Sequence, residues 1–347
     1  MKEKILNALL GKEDYISGQE LCKKFGVSRT AIWKVMNQLK EEGYEIEAVS
    51  HKGYRIVSYP DKITEEEVAS RMKTSWAGKK VVFLEQVDST NTYAKKIAEG
   101  GAASGTLVLT EDQYGGRGRR GRAWMNPPRS SIAMTLIVRP ELSPNHASMM
   151  TLVMGIAVAR ACRQMTGIDA KIKWPNDIVA DGKKICGILT EMSADLDTIH
   201  YVVIGAGINV NLENIPDELK TVATSLQILT GKKFHRAELI SKCMEEFERC
   251  YEMFLKTEDM TFLLEEYNEI LINKEKTVCV LEPKGQYMGT ALGIDKNGEL
   301  LVKKEDGTVV NVYAGEVSVR GVYGYVYDKR RKRMYSGKIV LCGANSY

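Results

Sequence analysis

The chain has 347 residues, 44% of them hydrophobic, enough for two or three domains with large cores and no need of disulfide staples. Its net charge of +4 is mild and demands no nucleic-acid partner by itself, so any basic patch must be local. The seven cysteines (Cys22, Cys162, Cys186, Cys243, Cys250, Cys279 and Cys342) are scattered without a C-x-x-C, and the four histidines form no H-E-x-x-H, which argues against a disulfide framework and a protein-built metal site. Reduced thiols and the lack of a signal peptide or membrane-length apolar run lead us to expect a cytoplasmic protein with no membrane partner.

Residues 1–59 carry a helical apolar stripe at Ile5, Leu6, Leu9 and Leu10. Ser17-Gly-Gln-Glu20 fits a capping box that opens a second helix, and Phe25-Gly-Val-Ser28 makes a tight turn with Ser28 as the next N-cap. A third helix is predicted from about 29 to 42, with Ile32, Val35, Met36 and Leu39 inside and Thr30, Lys34 and Asn37 outside, flanked by Arg29, Trp33 and Lys40. Two alternating segments, 44–48 and 54–57, flank a turn holding His51 and Lys52. This order is the plan of a winged helix-turn-helix. It predicts DNA contacts from Ser28, Arg29, Thr30, Trp33, Lys34, Asn37 and the wing residue Lys52. A three-helix interaction module without DNA is the alternative, which the polar outer face disfavours.

Residues 60–74 form a polar connection with an acidic run and a short linker helix. Residues 75–275 alternate strands (81–84, 106–110, 132–138, 184–189, 201–204) with helices (146–165, 235–255, 259–272), giving a mixed α/β domain with one main sheet. Residues 276–322 switch to period two, with hairpin turns at Asn297-Gly298 and Asp306-Gly307, and suggest a small β-barrel of about five strands. The tail, 323–347, holds the basic run Asp328–Arg333 and has no assigned role. The fold class is therefore α+β and multidomain.

Five segments carry chemistry. Gln113–Trp124 packs four glycines and four arginines between apolar runs. Glycine permits sharp turns and close approach, and guanidinium forks match phosphate and carboxylate oxygens, so the loop suits a polyanion such as a nucleotide. An RNA-binding Arg/Gly segment has the same composition. Asp88-Ser-Thr-Asn91 opens a helix, and capping alone explains one of its polar side chains but not all. Lys173-Trp-Pro-Asn-Asp177 makes a stiff corner with polar tips, or a packed turn with Asx hydrogen bonds. Lys184-Ile-Cys-Gly-Ile-Leu-Thr-Glu191 puts a lysine at the start of an apolar strand, as edge protection or as a carboxylate anchor. Ile204-Gly-Ala-Gly-Ile-Asn-Val-Asn211 leaves room for close approach but lacks the third glycine and helix of a dinucleotide fingerprint.

In this order, G-R-G-R-R-G-R-x-W, K-W-P-N-D and K-x-x-G-I-L-x-E, behind the head and before the barrel, resemble the bifunctional biotin–protein ligase/biotin operon repressor family over about residues 1–322. The resemblance implies a biotin/lipoate-ligase-like central domain and an SH3-like barrel. It also implies formation of biotinyl-5′-AMP from biotin and ATP with Mg2+, and transfer of biotin to a lysine of a biotin carboxyl carrier protein domain. The adenylate-bound homodimer would repress from operator DNA. It assigns Ser89, Thr90, Asn91, Gln113, Gly116, Arg117, Gly118, Lys184 and Gly187 to biotin, and Arg119, Arg120, Arg122, Trp124, Asn176 and Asn209 to ATP and the adenylate. Lys184, Arg117, Arg119 and Asp177 become the catalytic set, with Trp124 near adenine and Asp177 orienting or deprotonating the amine. Two alternatives remain: a biotin-sensing repressor without ligase activity, and a lipoate–protein ligase.

Overall fold

The computed structural model describes residues 1–347 except 11, 13, 126, 283–284, 314–317, 321–326, 329–332 and 335–347, and only the backbone of 318–320, 327–328 and 333–334. The head comprises α1 (Lys2–Leu9), α2 (Gly18–Phe25), α3 (Arg29–Glu41), β1 (Glu45–Val49) and β2 (Gly53–Ser58). Ser17 Oγ accepts the Glu20 N–H at 3.1 Å and Ser28 Oγ the Ala31 N–H at 3.2 Å, so both predicted caps form. Gly26 ends α2 in the left-handed region at φ 65. Ile5, Leu6, Leu9, Leu21, Ile32, Met36 and Leu39 close a core of their own. Ser28, Arg29, Thr30, Trp33, Lys34 and Lys52 are exposed and Asn37 is half-buried.

The polar connection is not loose. Thr64 caps α4 (Glu65–Arg71), and Ile63 and Val68 are buried in the core of the next domain. Glu67, 2% exposed, accepts a hydrogen bond from the Tyr44 hydroxyl of the head and pairs with Arg71. Burial lifts its carboxyl to about 7 from an ordinary 4.5, although Arg71 pulls the other way. The folded state thus holds this proton more tightly than the unfolded chain. Its contribution to stability is greatest below about pH 4.5, falls as pH rises toward 7, and is flat above. Glu67→Gln is expected to remove that slope and to raise stability at pH 8 by on the order of 2–3 kcal/mol relative to its effect at pH 4.5. Urea denaturation of parent and variant from pH 4.5 to 8 checks this, and parallel curves would reject it.

The central part comprises β3 (Lys80–Val87), α5 (Thr90–Glu99), β4 (Thr106–Gln113), β5 (Ser131–Val138), α6 (Met150–Thr166), β6 (Lys171–Lys173), β7 (Asp177–Ala180), β8 (Lys183–Ala194), β9 (Ile199–Asn209), α7 (Leu226–Thr230), α8 (Arg236–Phe254) and α9 (Leu264–Ile270). Its sheet runs β3-β4-β5-β9-β8-β7-β6, parallel at β3–β4 and antiparallel elsewhere. Alternation decides the faces. Ile132, Met134 and Leu136 of β5, with Ala206 and Ile208 of β9, join the core with α6 and α8. Val108, Ile137 and Val203 point the other way, against Ala94 and Ala98 of α5. Beside α5 that second face stays open.

Two helix expectations need correction. The helix expected over 146–165 begins as 3-10 turns at Pro144–Met149, and its α-helical part is Met150–Thr166. The helix expected over 259–272 shortens to Leu264–Ile270. Glu258 lies at φ 58 and Asp259 Oδ1 accepts the Thr261 N–H at 2.9 Å, a turn that delays it. Strands β6 and β7 were not anticipated.

Beyond them, β10 (Thr277–Glu282), β11 (Gly285–Ile294), β12 (Leu300–Lys303), β13 (Val309–Val312) and β14 (Ser318–Arg320) form a small antiparallel sheet in the order β13-β12-β11-β10-β14. Gly298 and Gly307 turn at φ 74 and 88, as the Asn-Gly and Asp-Gly pairs require. Val278, Val280, Ala291, Leu300 and Val302 merge with the central core. Of the tail, Tyr327–Asp328 pairs with Arg333–Met334, and the remainder of that basic segment lies outside the described residues. No helix among the described residues is long and apolar enough to cross a membrane.

Candidate active site

The open face of the sheet is the floor of a cavity of about 620 Å³, within the range of small-molecule sites. Glycines make the floor bare. Gly187 of β8 pairs with Gly207 of β9, and Gly205 lies two residues along on the same face. A Cβ at Gly205 would come within 2.1 Å of Asn91 Oδ1, and one at Gly207 within 2.4 Å of Trp124 Nε1.

A β-bulge aims Lys184. Ile178 pairs with Cys186 but Val179 pairs with Lys184, leaving Ile185 as the extra residue. Plain alternation from Cys186 and Ile188, both in the core, would have buried Lys184 there too. The bulge returns it to the cavity side, where its Nζ lies 2.9 Å from an ideal Cβ on Gly187. The backbone at Lys184 is clamped by the Val222 carbonyl at 2.8 Å and the Thr224 N–H at 3.0 Å.

Asp177, first residue of β7, pairs with Lys184 Nζ at 2.5 Å and Lys173 Nζ at 3.7 Å. Burial works to raise its carboxyl, yet Lys184, Lys173 and Arg119 hold it below the usual carboxylate range. A carboxylate so held is a weak base. Asn176 donates to the Ile188 carbonyl at 3.0 Å and accepts from Arg119 Nη1 at 3.4 Å. Trp174, fully buried behind this corner, donates from Nε1 to the Gly298 carbonyl at 3.0 Å, and Asn273 Oδ1 accepts its N–H at 2.8 Å.

The Gly/Arg loop folds as a small hairpin. Arg117 bridges Ala123, Gly118 N donates to the Arg122 carbonyl at 2.6 Å and Trp124 N to the Gly116 carbonyl at 2.9 Å. Arg120 and Gly121 turn it at φ 59 and 71. Arg117 and Arg120 are exposed, while Arg119 and Arg122 are half-buried. Burial pushes the Arg119 guanidinium down, which an anion in the cavity would relieve. Trp124 lies against the floor. Its ring covers Gly187 and Gly207, with Lys184 Nζ 5.2 Å from the ring centroid. Its Nε1 is buried without a hydrogen-bond partner among the described residues.

At the other end, Ser89 caps α5 by accepting the Thr92 N–H at 3.5 Å. Gln113 Oε1 accepts from Thr90 N at 3.0 Å and faces Thr90 Oγ1 at 3.1 Å. Gly116 is buried against Gln113 and Trp124, and Gly118 lines the cavity mouth. Asn209 lines the wall, its amide held by the Thr224 carbonyl at 3.0 Å. The structure thus gathers all the sequence-predicted ligand residues around one cavity, apart from Gly116, which backs it. The wall formed by 212–223 was missed, because its residues carry no motif. So was Thr135, which underpins Asn91 together with Glu191, a residue of the K-x-x-G-I-L-x-E motif to which the resemblance assigns no role.

Comparison with known proteins agrees with this geometry. The Biotin/lipoate A/B protein ligase family model matches residues 83–209, the HTH domain model 2–55 and the Biotin protein ligase C terminal domain model 274–320. The Bifunctional ligase/repressor BirA of Bacillus subtilis is 37% identical over 88% of this chain and 94% of its own length. The chain belongs to the BirA family of bifunctional biotin ligase/repressors. The BirA of Escherichia coli is 29% identical over 91% of this chain and 96% of its own. A biotin protein ligase from Aquifex aeolicus, solved in complex with biotin and ATP, superposes with a TM-score of 0.61 at 29% identity, covering 70% of this chain and 99% of that one. A helix-turn-helix head thus precedes the ligase-like domain and a small β domain follows it.

Proposed function

We propose that this BirA family chain joins biotin to a carrier-protein lysine and represses transcription from operator DNA. The biotin carboxylate attacks the α-phosphate of ATP, giving biotinyl-5′-AMP and releasing pyrophosphate. A lysine amine of a biotin carboxyl carrier protein domain then attacks the acyl carbon, and AMP leaves. The observation that carries this reading is a bulge-aimed lysine on a glycine floor beneath an arginine-rich loop.

Each group has work to do there. Two anions must meet, so cations must offset their repulsion. Lys184 exchanges Asp177 for the carboxylate and an α-phosphate oxygen, and Arg117 and Arg119 close from the loop. Arg120 and Arg122 serve the phosphates, and Asn176 and Asn209 the nucleotide side. Trp124 leaves the Gly187–Gly207 floor as ligand arrives, and its orphaned N–H marks that seat as one it can give up. It then covers the adenine and helps exclude water from the mixed anhydride. Ser89, Thr90, Asn91, Gln113, Gly116, Gly118 and Gly187 form the biotin end. Asp177, a weak base, orients the incoming amine. Magnesium arrives with MgATP. The ion would be held mainly by phosphate oxygens and water.

The exposed face of α3 and the wing residue Lys52 meet DNA. One such head covers a short half-site, so the adenylate-bound chain acts as a homodimer. The functional units are 1–59, 75–275 and 276–322, the last an SH3-like barrel, and the described cysteines, which form no disulfide with one another, suit a reducing cytoplasm.

Mass spectrometry of the protein incubated with biotin and MgATP is expected to find bound biotinyl-adenylate, followed by biotin on an added carrier domain. Adenylate without transfer would leave a sensor, and adenylate from lipoate alone would make it a lipoate ligase.

A further inference from the structure

The proton positions beneath the biotin end follow from the hydrogen-bond partners. Asn91 Nδ2 lies 2.8 Å from Glu191 Oε2 and 3.1 Å from the Leu189 carbonyl. Both are acceptors, so this side of the amide is the NH2 and Oδ1 is an acceptor only. Thr135 Oγ1, on a fully buried residue of β5, is 2.7 Å from that Oδ1 and 2.8 Å from Thr90 Oγ1. A hydroxyl has one proton. Thr135 must give it to Asn91 Oδ1, so Thr135 can only accept from Thr90. The Thr90 hydroxyl has two acceptors in reach, Thr135 Oγ1 at 2.8 Å and Gln113 Oε1 at 3.1 Å; Gln113 Oε1 already takes the Thr90 N–H at 3.0 Å, so the proton goes to the shorter contact. The Thr90 proton is therefore held inside the protein, and its oxygen is left as an acceptor on a residue that lines the cavity.

We propose that Glu191 is a positioning residue. With the Leu189 carbonyl it fixes Asn91, and through it Thr135, so that Thr90 offers the cavity an acceptor and no proton and selects a ligand that presents a ring N–H at this depth. Two observations hold the relay in place. Lys95 Nζ pairs with Glu191 Oε1 at 2.7 Å and keeps the carboxylate charged. Gly205 gives Asn91 Oδ1 a seat that any side chain would fill. Burial works to raise the Glu191 carboxyl, but Lys95 and Asn91 hold it below the usual range, so the relay keeps its direction at neutral pH. A cyclic urea satisfies the acceptor, whereas a ring offering only oxygen, sulfur or carbon there does not.

The inference rests on the biotin reading, and the test separates the two. Calorimetry would compare biotin with its two cyclic-carbamate analogues, each with one ring N–H replaced by oxygen. The parent should prefer biotin to the analogue altered at Thr90 by about tenfold or more. Glu191→Leu should shrink that ratio toward unity, and Glu191→Gln, which keeps an acceptor for Asn91, should preserve it. Thr135→Val should shrink it and Thr135→Ser preserve it. In all four variants the rate of adenylate formation at saturating biotin should stay within about threefold of the parent. An unchanged ratio in folded Glu191→Leu and Thr135→Val would overturn the relay while leaving the biotin reading intact. No biotin binding by the parent would overturn both.

Discussion

Lys184→Ala is expected to lower biotin-dependent adenylate formation by at least about 10²–10³-fold while leaving the fold in place. Lys184 is the cavity cation nearest the bare Gly187, and its aim depends on a bulge rather than on a flexible surface position. The fold should survive for two reasons. The clamp from Val222 and Thr224 uses backbone atoms alone, and Asp177 keeps Lys173 and the field of Arg119 after the change. Lys184→Arg would keep the charge but bring a planar fork to a site lined by Gly187 and Trp124, so little activity should return. Pyrophosphate exchange, with circular dichroism and a melting curve as controls, measures the effect. Exchange equal to the parent's in folded Lys184→Ala would remove the lysine from the chemistry.

Arg236→Met should destabilise the chain by about 3–5 kcal/mol, the cost of leaving buried charges unpaired. Arg236 is fully buried, and all five guanidinium N–H groups have acceptors. Nε donates to Asp61 Oδ2 at 2.8 Å, and Nη1 to Glu111 Oε2 at 2.7 Å and the Ser131 carbonyl at 3.1 Å. Nη2 donates to Glu111 Oε1 at 3.0 Å and the Asp61 carbonyl at 3.2 Å. The bidentate grip on Glu111 is geometry that lysine cannot copy, so Arg236→Lys should also be costly. Adding Glu111→Leu to Arg236→Met removes one of the stranded carboxylates and should restore part of the loss. Urea denaturation of these three variants and of Glu111→Leu alone tests this. Additive losses would show that the pair is not coupled. Asp61 belongs to the segment leading out of the head, and Glu111 stands two residues before Gln113 on β4, so the network joins that segment to the strand that runs to the site.

Local chemistry made much of this legible in the sequence. Ser17 and Ser28 cap helices because short hydroxyl side chains satisfy free N–H groups, and that rule needs no tertiary information. Asn297-Gly298 and Asp306-Gly307 turn because glycine tolerates positive φ. The arginines of 117–122 and the motif residues around Lys184 could be picked out by type and spacing. What stayed hidden depends on neighbours far along the chain. Period two puts Lys184 in the core, and only pairing with β7 shows the bulge that turns it around. Trp124 resembles a ligand-stacking ring in sequence, yet facing glycines on two strands give it a seat of its own. Arg236 reads as an ordinary first-turn residue of a helix until Asp61 and Glu111 arrive from 175 and 125 positions away. Thr135 and Glu191 never touch in sequence and meet only through Asn91.

The bond from the Trp174 indole to the Gly298 carbonyl ties the small β domain to the corner that lines the cavity. Gly298 is also wedged so tightly that a Cβ there would strike Leu152 Cδ1 at 2.5 Å. The corner presenting Asn176 and Asp177 therefore takes its rigidity from a hairpin more than a hundred residues downstream. Removing that module would strip the backing from the corner rather than trim an accessory. A chimaera that swaps it between relatives must exchange the tryptophan corner and the Asn-Gly tip together.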